Sequence, residues 1–280
     1  MICKEGTFLG TNQFNLYYQS WNPDKKIKGV VVIVHGLGGH SGKYANIVAH
    51  LVDRGFAIYS FDQRGHGRSP GQRGYVNSWA ELRSDLATFI RLVKTETKDY
   101  PCFLLGHSLG AAVVLDYGLR AENPQSHLQG IVAMAPALGA VGVPPWRLFL
   151  GRVLSQIYPR FSLDLGIDLS ASSRDPQVIE AYKQDTLRHT RGTARLSTEF
   201  IKTLAWINNH IQELKLPILI LYGGEDRVTL PQSNYRFFES ITFADKEIKE
   251  YPESYHELQS DLNYKEVLED LEDWLERHLA

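Results

Sequence analysis

Short apolar runs alternate with longer amphipathic stretches along most of this 280-residue chain. Five of the runs contain no charged residue and have the length of strands that are covered on both faces of a sheet. The stretches between them have the spacing of amphipathic helices. Together they predict an α/β protein whose central sheet is mostly parallel, with helices on both faces. The predicted strands are Gly29–Val34, Phe56–Phe61, Cys102–Leu105, Gly130–Ala135 and Pro217–Tyr222.

The two ends of the chain have different patterns. Two short alternating runs flank Gly10-Thr11-Asn12 near the start, which is typical of an antiparallel hairpin at a sheet edge. Near the end, the pattern predicts a short strand at Glu247–Tyr251 and a helix over Lys265–His278. No internal repeat or low-complexity linker interrupts the alternation.

One connection between predicted strands is too long for a single crossover helix. From Pro136 to Pro217 is a span of 81 positions, whereas such a crossover needs only about a dozen residues. Asp175-Pro176 reads as the cap and first residue of a helix. We therefore predict an α/β core from residues 1–136 and 211–280, with a helical cap inserted at 137–210. Helical patterns in the insertion cover Trp146–Tyr158, Gln177–His189 and Thr198–Ile211.

Composition and charge narrow the possible functions. The chain is 43% hydrophobic, with 30 basic and 32 acidic residues, and no long basic run indicates a nucleic-acid partner. Cys3 and Cys102 have no metal or redox spacing. The opening residues lack the apolar core of a signal peptide, and no uncharged run is long enough for a membrane anchor. We expect a cytoplasmic protein without metal, cofactor, nucleic-acid partner or obligate protein partner.

A histidine and a serine interrupt one strongly apolar stretch. Residues 106–110, Gly-His-Ser-Leu-Gly, follow a predicted buried strand and precede a helical run. This is the context of a nucleophile elbow, in which flanking glycines permit a sharp turn and the serine hydroxyl projects above the sheet edge. We predict that Ser108 is a catalytic nucleophile. The alternative is a tight turn in which the serine only caps the following helix.

A nucleophilic serine needs a base and an acid, which follow it along the chain in this type of fold. Asp226 emerges from the last buried strand at the edge where such sheets place their sites, with Glu225 as its rival. His256 lies in a loop thirty residues later. Three other downstream histidines, His189, His210 and His278, lie in helical patterns of the cap or the C-terminal tail, and we predict surface positions for them.

The glycine-rich turn after the first buried strand can supply donors for an oxyanion. Its backbone N–H groups can face the site, and we predict the N–H groups of Leu37 and Leu109 as the pair. Glycine-rich turns also bind phosphates. The glycine spacing here is one residue off the dinucleotide fingerprint, and a P-loop would need a glycine at Leu37 and a hydroxyl residue at Tyr44.

The first helical pattern of the cap has a broad apolar face. It places Phe149, Val153 and Ile157 in one stripe at helical spacing. One interpretation is that these three residues bind substrate by lining an acyl tunnel above Ser108, or contact a lipid surface transiently. The other is that the stripe packs on the sheet or on neighbouring cap helices.

Five ordered motifs resemble the monoacylglycerol lipase and lysophospholipase group of α/β-hydrolases. The resemblance covers nearly the whole chain and implies the α/β-hydrolase fold with a lid, the triad Ser108, Asp226 and His256, and oxyanion donors at Leu37 and Leu109. It also includes an Asp-x-Arg-Gly-His-Gly-x-Ser segment at 62–69, which we expect to be structural. The motifs are HGLGGHSGKY (35–44), SFDQRGHGRSPGQRGYV (60–76), LLGHSLG (104–110), SSRDPQVIEAY (172–182), and YGGEDRV (222–228) with YPESYHE (251–257).

This resemblance implies a serine carboxylester hydrolase acting on lipid monoesters, with a monoacylglycerol as substrate and an acyl-enzyme intermediate. Alternatives are a lysophospholipase, or another esterase, thioesterase or peptidase of the same fold. A third class is a binding protein on an inactive hydrolase fold, although this chain retains every motif of the site. We also expect transient contact with membrane surfaces through the cap.

Overall fold

The structure, a computed structural model, describes residues 1–98, 100–139, 145–166 and 168–279. Within these ranges the chain forms one large sheet, a two-stranded ribbon and helices on both faces of the sheet. The strands are β1 (Ile2–Leu9), β2 (Asn15–Asn22), β3 (Gly29–Val34), β4 (Phe56–Phe61), β5 (Cys102–His107), β6 (Gly130–Met134), β7 (Ser162–Asp164), β8 (Arg191–Thr193), β9 (Ile218–Gly223) and β10 (Lys246–Tyr251). The helices are α1 (Ala45–Asp53), α2 (Trp79–Thr97), α3 (Leu109–Arg120), α4 (Pro145–Ile157), α5 (Pro176–Gln184), α6 (Ala194–His210), α7 (Pro231–Ser240) and α8 (Tyr264–Arg277).

The large sheet has the strand order β1-β2-β4-β3-β5-β6-β9-β10. Strands β1 and β2 form an antiparallel hairpin at one edge, and β2 pairs antiparallel with β4. All pairs from β4 to β10 are parallel. The predicted hairpin, buried strands and mostly parallel sheet are therefore confirmed. Strand β5 runs two residues further than predicted, to His107, because its pairing with β6 continues up to the turn at Ser108.

The two faces of the sheet have separate cores, and β3 contributes to both. Val30, Val32 and Val34 pack in the cluster that contains residues of α2 and α3. Val31 and Ile33 pack in the cluster that contains residues of α1 and α8. Successive side chains of a strand point to opposite faces, so a strand covered on both sides must be apolar at every position. This explains the uninterrupted apolar run in the sequence.

The segment between β6 and β9 carries α4, α5, α6 and the antiparallel ribbon β7–β8. We call residues 137–210 the cap; the division of the chain into core and cap remains a prediction. Helix α5 begins as predicted, with Pro176 in its first turn and the Asp175 carboxylate accepting a hydrogen bond from Gln177 N–H. The sequence pattern did not reveal the ribbon, because three-residue strands are too short for an alternation to be visible.

Helix α5 ends at Gln184, five residues before the predicted end of its pattern. The Asp185 carboxylate accepts a hydrogen bond from Leu187 N–H at 2.9 Å, which turns the chain away from the helix. Residues 185–190 consequently form a loop that reaches the core. Among the helices of the described ranges, none is long and apolar enough to span a membrane.

Candidate active site

Ser108 occupies the sharp turn between β5 and α3. Its backbone has φ 55° and ψ −119°, a conformation that non-glycine residues rarely adopt and that is concentrated at functional sites. A Cβ at Gly110 would lie 2.1 Å from Val34 O, and one at Gly106 would lie 2.5 Å from Ala111 Cα. Only glycine fits these two positions. The Ser108 side chain makes no capping hydrogen bond to α3, so the alternative that it only caps the helix is wrong.

Asp226 and His256 meet at the carboxyl edge of the sheet. They follow the neighbouring parallel strands β9 and β10, and His256 Nδ1 lies 2.8 Å from Asp226 Oδ2. Both side chains are buried, whereas the rival acid Glu225 is exposed to solvent. Thr229 supplies further donors to the Asp226 carboxylate, from its N–H at 2.9 Å and its hydroxyl at 2.6 Å.

The environment of Asp226 favours its ionised form. Burial alone would raise the pKa of this carboxyl, but the charge and hydrogen bond of His256 and the donors of Thr229 hold the pKa below its ordinary value. An ionised Asp226 accepts a hydrogen bond from His256 Nδ1–H. This hydrogen bond selects the tautomer that leaves Nε2 free to accept a proton.

Ser108 and His256 line one cavity, of about 330 Å³, together with Leu37 and Leu109. Leu109 is the first residue of α3, and its N–H is one of the unpaired donors of a helix N-terminus. Within the described residues, neither Leu37 N–H nor Leu109 N–H donates a hydrogen bond to the protein. The two predicted oxyanion donors therefore border the same space as Ser108 and are available to a ligand.

Sequence comparison places this site in a known family. The sequence profile of the family described as serine aminopeptidase, S33, matches residues 25–263, which is most of the chain. The chain belongs to the serine aminopeptidase S33 family. It is therefore an enzyme, a serine hydrolase that acts on esters, and the predicted resemblance to the monoacylglycerol lipase group is confirmed.

Individual relatives of this S33 hydrolase match it over nearly its whole length. A monoacylglycerol lipase of Mycolicibacterium smegmatis is 31% identical over 277 residues, covering 98% of each chain. The crystal structure of a monoacylglycerol lipase from Paleococcus ferrophilus is 33% identical, with a TM-score of 0.85, and covers 94% of this chain and 99% of that one. A soluble variant of monoglyceride lipase from Saccharomyces cerevisiae, solved with a substrate analog, is 24% identical with a TM-score of 0.86, covering 98% of this chain and 96% of that one, and supports the fold.

In this S33 hydrolase the cap supplies much of the apolar wall of the cavity. Helix α6 contributes three apolar side chains, and Leu165 lies just after β7. The core adds Val228 from the loop after Asp226. The apolar side chains from α6 are those of Leu196, Phe200 and Ile201.

The predicted stripe on α4 does not line the cavity. Phe149 and Ile157 are 68% and 78% exposed, Val153 is half-buried, and none of the three is among the lining residues. The acyl-tunnel interpretation of these residues is therefore wrong. Helix α4 contacts α6 at the buried Ser155, whose Oγ accepts a hydrogen bond from Thr198 Oγ1 at 2.8 Å. Periodicity identified the apolar face of α4 correctly but could not tell which face would meet α6.

The cavity lining also includes charged residues, here called the polar end, which the sequence analysis missed. Lys43 Nζ lies 2.6 Å from Glu257 Oε1, and each side chain is only 5% exposed. Burial opposes ionisation of Glu257, but the Lys43 charge holds the pKa of the carboxyl well below its usual range. Arg188 completes this end, with its guanidinium 4.1 Å from the centre of the Tyr182 ring. The one signal in the sequence was that Glu257 directly follows His256.

Buried imidazoles surround the catalytic edge. Burial lowers the pKa of His107 to about 4 and that of His35 to about 3. His66 packs between His35 and His189, with ring centres 5.1 and 4.6 Å away. The predicted surface position of His189 is wrong: it follows α5 in a loop, lines the cavity, and has a pKa lowered by burial to about 4.

The segment 62–69 makes structural contacts, as expected. Asp62 accepts hydrogen bonds from Ser41 N–H at 2.6 Å and from Arg68 N–H at 2.7 Å. Arg64 forms a buried ion pair with Asp85 at 2.7 Å. These contacts tie the glycine-rich turn after β3 to the loop after β4.

Proposed function

We propose that this S33 hydrolase cleaves monoacylglycerols to a fatty acid and glycerol, with Ser108, Asp226 and His256 as its triad. One observation carries the proposal: a single cavity joins Ser108 and His256 to an apolar wall and to a small polar end. An acyl chain suits the apolar wall. The polar end offers donors and acceptors to a leaving group that carries free hydroxyls. The relatives named monoacylglycerol lipase support this choice.

The reaction proceeds through an acyl-enzyme. His256 Nε2 takes the proton of Ser108 as its Oγ attacks the ester carbonyl, and the N–H groups of Leu37 and Leu109 hold the oxyanion. The C–O bond to glycerol breaks, and glycerol leaves with the proton from His256. Water then attacks the acyl-enzyme with His256 again as base, releasing the fatty acid. Each oxyanion donor contributes about 3 kcal/mol to transition-state stabilisation.

The charge balance of the cavity argues against an aminopeptidase, despite the name of the family. Recognition of a free N-terminal ammonium requires an unpaired carboxylate near the nucleophile. Among the lining residues that the structure describes, Glu257 has the only carboxylate. Lys43 forms an ion pair with it and neutralises its charge. The polar end therefore offers no free carboxylate to a substrate ammonium group.

The exposed apolar face of α4 supports the other interpretation of the stripe, contact with a lipid surface. Phe149, Leu150 and Ile157 are each about half or more exposed, and the adjacent Tyr158 is 60% exposed. Such an amphipathic face binds an interface by burying its apolar side chains among lipid chains. We propose that the enzyme docks transiently on membranes through this face and works as a peripheral protein.

A substrate panel tests the proposed function. The panel consists of p-nitrophenyl esters, monoacylglycerols of increasing chain length, lysophospholipids and aminoacyl amides. We expect kcat/KM to be highest for monoacylglycerols and to rise about fourfold for each methylene that the apolar wall can still bury. A preference for aminoacyl amides or for lysophospholipids, at matched chain length, would contradict the proposal.

A further inference from the structure

The loop that carries the proposed oxyanion donor Leu37 is rich in glycine. Residues 36–42 contain four glycines, and Gly38 has a φ of +70°. Such a segment loses much conformational freedom when it is ordered. Contacts with other segments are therefore needed to keep Leu37 N–H directed at the cavity.

The cap provides those contacts. His189 N–H donates to Gly38 O at 3.2 Å, and His40 Nε2 lies 2.7 Å from Asp185 Oδ2. In the part of the chain that the structure describes, the core forms one hydrogen bond with residues 37–40 from outside the loop, in which the adjacent Lys43 N–H donates to His40 O at 3.2 Å. Further core contacts come at Ser41, whose N–H donates to Asp62 Oδ1 and whose hydroxyl donates to Gln19 Oε1.

The contact between His40 and Asp185 is fixed at both ends. His40 Nδ1 accepts a hydrogen bond from Gly42 N–H at 3.1 Å, so Nε2 carries the proton and donates to Asp185. The other Asp185 oxygen accepts from Leu187 N–H. Burial alone would raise the pKa of Asp185, but these hydrogen bonds hold it below its ordinary value. The carboxylate is therefore ionised at neutral pH and accepts from both donors.

The loop and the cap also meet in close van der Waals contact at Gly38. A Cβ at this position would lie 1.8 Å from His189 O, so no other residue fits while the cap is in place. The His189 ring packs against His66 of the core, which holds this part of the cap in register with the loop.

We propose that His40 and Asp185 are positioning residues, through which cap residues 185–189 hold the loop of the oxyanion donor in its active geometry. The cap then has two roles: it forms the apolar wall, and it completes the oxyanion hole. Full oxyanion stabilisation requires the cap in its observed position. This inference rests on the proposed function, because it takes Leu37 N–H as an oxyanion donor.

Two single variants remove the contact from opposite sides. His40→Asn keeps an acceptor for Gly42 N–H but no longer reaches Asp185, and Asp185→Ala removes the carboxylate. The matched control is Asp175→Ala. The Asp175 carboxylate caps the N-terminus of α5 and does not touch the loop. The readouts are kcat and KM for p-nitrophenyl butyrate and the inhibition constant of a trifluoromethyl ketone, whose hemiketal oxyanion needs the same donors.

We expect His40→Asn and Asp185→Ala to lower kcat by about 10- to 100-fold, less than the loss of a whole oxyanion donor. The inhibitor should bind more weakly by a similar factor, and KM should change less than about twofold. Asp175→Ala should lower the melting temperature while kcat stays unchanged. Gly38→Ala, which forces the loop away from His189, should reproduce the kcat and inhibitor effects.

Unchanged kcat and inhibitor affinity in folded His40→Asn and Gly38→Ala proteins would overturn the inference. So would an equal loss of kcat in Asp175→Ala, because the effect would then be general destabilisation of the cap. If Asp185→Ala does not fold, His40→Asn decides alone. Failure of the proposed function has a different signature, namely full ester turnover by Ser108→Ala.

Discussion

Helix α3 in the core buries its apolar residues, whereas helix α4 in the cap leaves many of its apolar residues exposed. In α3 the side chains of Ala111 through Leu115 have no exposed surface. In α4, Phe149 and Ile157 are mostly exposed. Both helices show apolar residues at helical spacing, so periodicity reports that a face is apolar but not what covers it.

The difference reflects how each region is held together. The elbow is fixed by close backbone approach, as at Gly110, and by burial on both faces of the sheet. Helix α6 of the cap packs into the core through Leu196, Leu204 and Ile207, whereas α4 contacts α6 through Ser155 and Thr198 and leaves much of its apolar face exposed. We therefore expect changes in the core to abolish chemistry or folding, and changes on the exposed face of α4 to alter membrane contact with small effects on stability.

The largest effect is expected for Ser108→Ala. The hydroxyl contributes chemistry and no core packing, so kcat for ester hydrolysis should fall by about 10⁴-fold or more while the melting temperature stays close to that of the wild type. Single-turnover and steady-state assays measure the loss. Turnover at a tenth of the wild-type value would refute the serine mechanism.

Asp226 and Glu225 are neighbouring acids in the core, the first buried and the second exposed, and substituting each in turn compares the two positions. Asp226→Asn should lower kcat by about 10⁴-fold, because the amide donates to His256 and favours the wrong tautomer. Glu225→Gln, at an exposed position, should leave kcat within about twofold of the wild type. The reverse pattern would assign the acid to Glu225.

Two glycine substitutions compare core and cap directly. Gly110→Ala brings a Cβ to 2.1 Å from Val34 O and should prevent folding or destabilise the protein by more than about 3 kcal/mol. Gly151→Ala in α4 meets nothing within 4 Å and should stabilise it by about 0.5–1 kcal/mol, because alanine has the higher helix propensity. Urea unfolding measures both; similar destabilisation by both substitutions would contradict the comparison.

The buried histidines of the core should make stability depend on pH. Above pH 6.5, the ordinary pKa of histidine, His35 and His107 are neutral in both the folded and the unfolded state. As the pH falls below 6.5 the unfolded state takes up protons first, so the free energy of unfolding should drop by about 1.4 kcal/mol per pH unit for each group. The loss continues to about pH 4 for His107 and about pH 3 for His35.

Urea unfolding at several pH values between 7.5 and 4.5 measures this slope. His35→Gln removes one of the titrating groups. It should reduce the slope of the unfolding free energy against pH by about 1.4 kcal/mol per pH unit, which corresponds to one proton. Stability that stays constant from pH 7 to pH 5, or a His35→Gln protein with the wild-type slope, would show that these imidazoles are not held neutral in the folded state.

The smallest effect on the isolated enzyme is expected on the exposed face of α4. Phe149→Asp and Ile157→Asp should leave the melting temperature and the hydrolysis of soluble butyrate esters unchanged, because neither side chain lines the cavity. Sedimentation with phospholipid vesicles and hydrolysis of vesicle-borne monoacylglycerol should both decrease. Uniform loss on all substrates with a lower melting temperature would show that the stripe is structural.

The sequence by itself determined the fold and the chemistry-bearing motifs, because these depend on neighbours along the chain. Uninterrupted apolar runs such as Gly29–Val34 predicted strands buried on both faces. The glycines beside Ser108 predicted an elbow before any contact was known. The order of serine, acid and histidine followed from the order of the strands that carry them.

Only the tertiary structure decided which distant residues meet. It placed Asp226 rather than Glu225 beside His256, turned Ser155 of α4 toward Thr198 of α6, and brought His189 from the cap onto Gly38. Lys43 and Glu257, 214 positions apart, form one buried pair. Such contacts depend on the packing of segments that share no local pattern, and local pattern is what periodicity and motif spacing record.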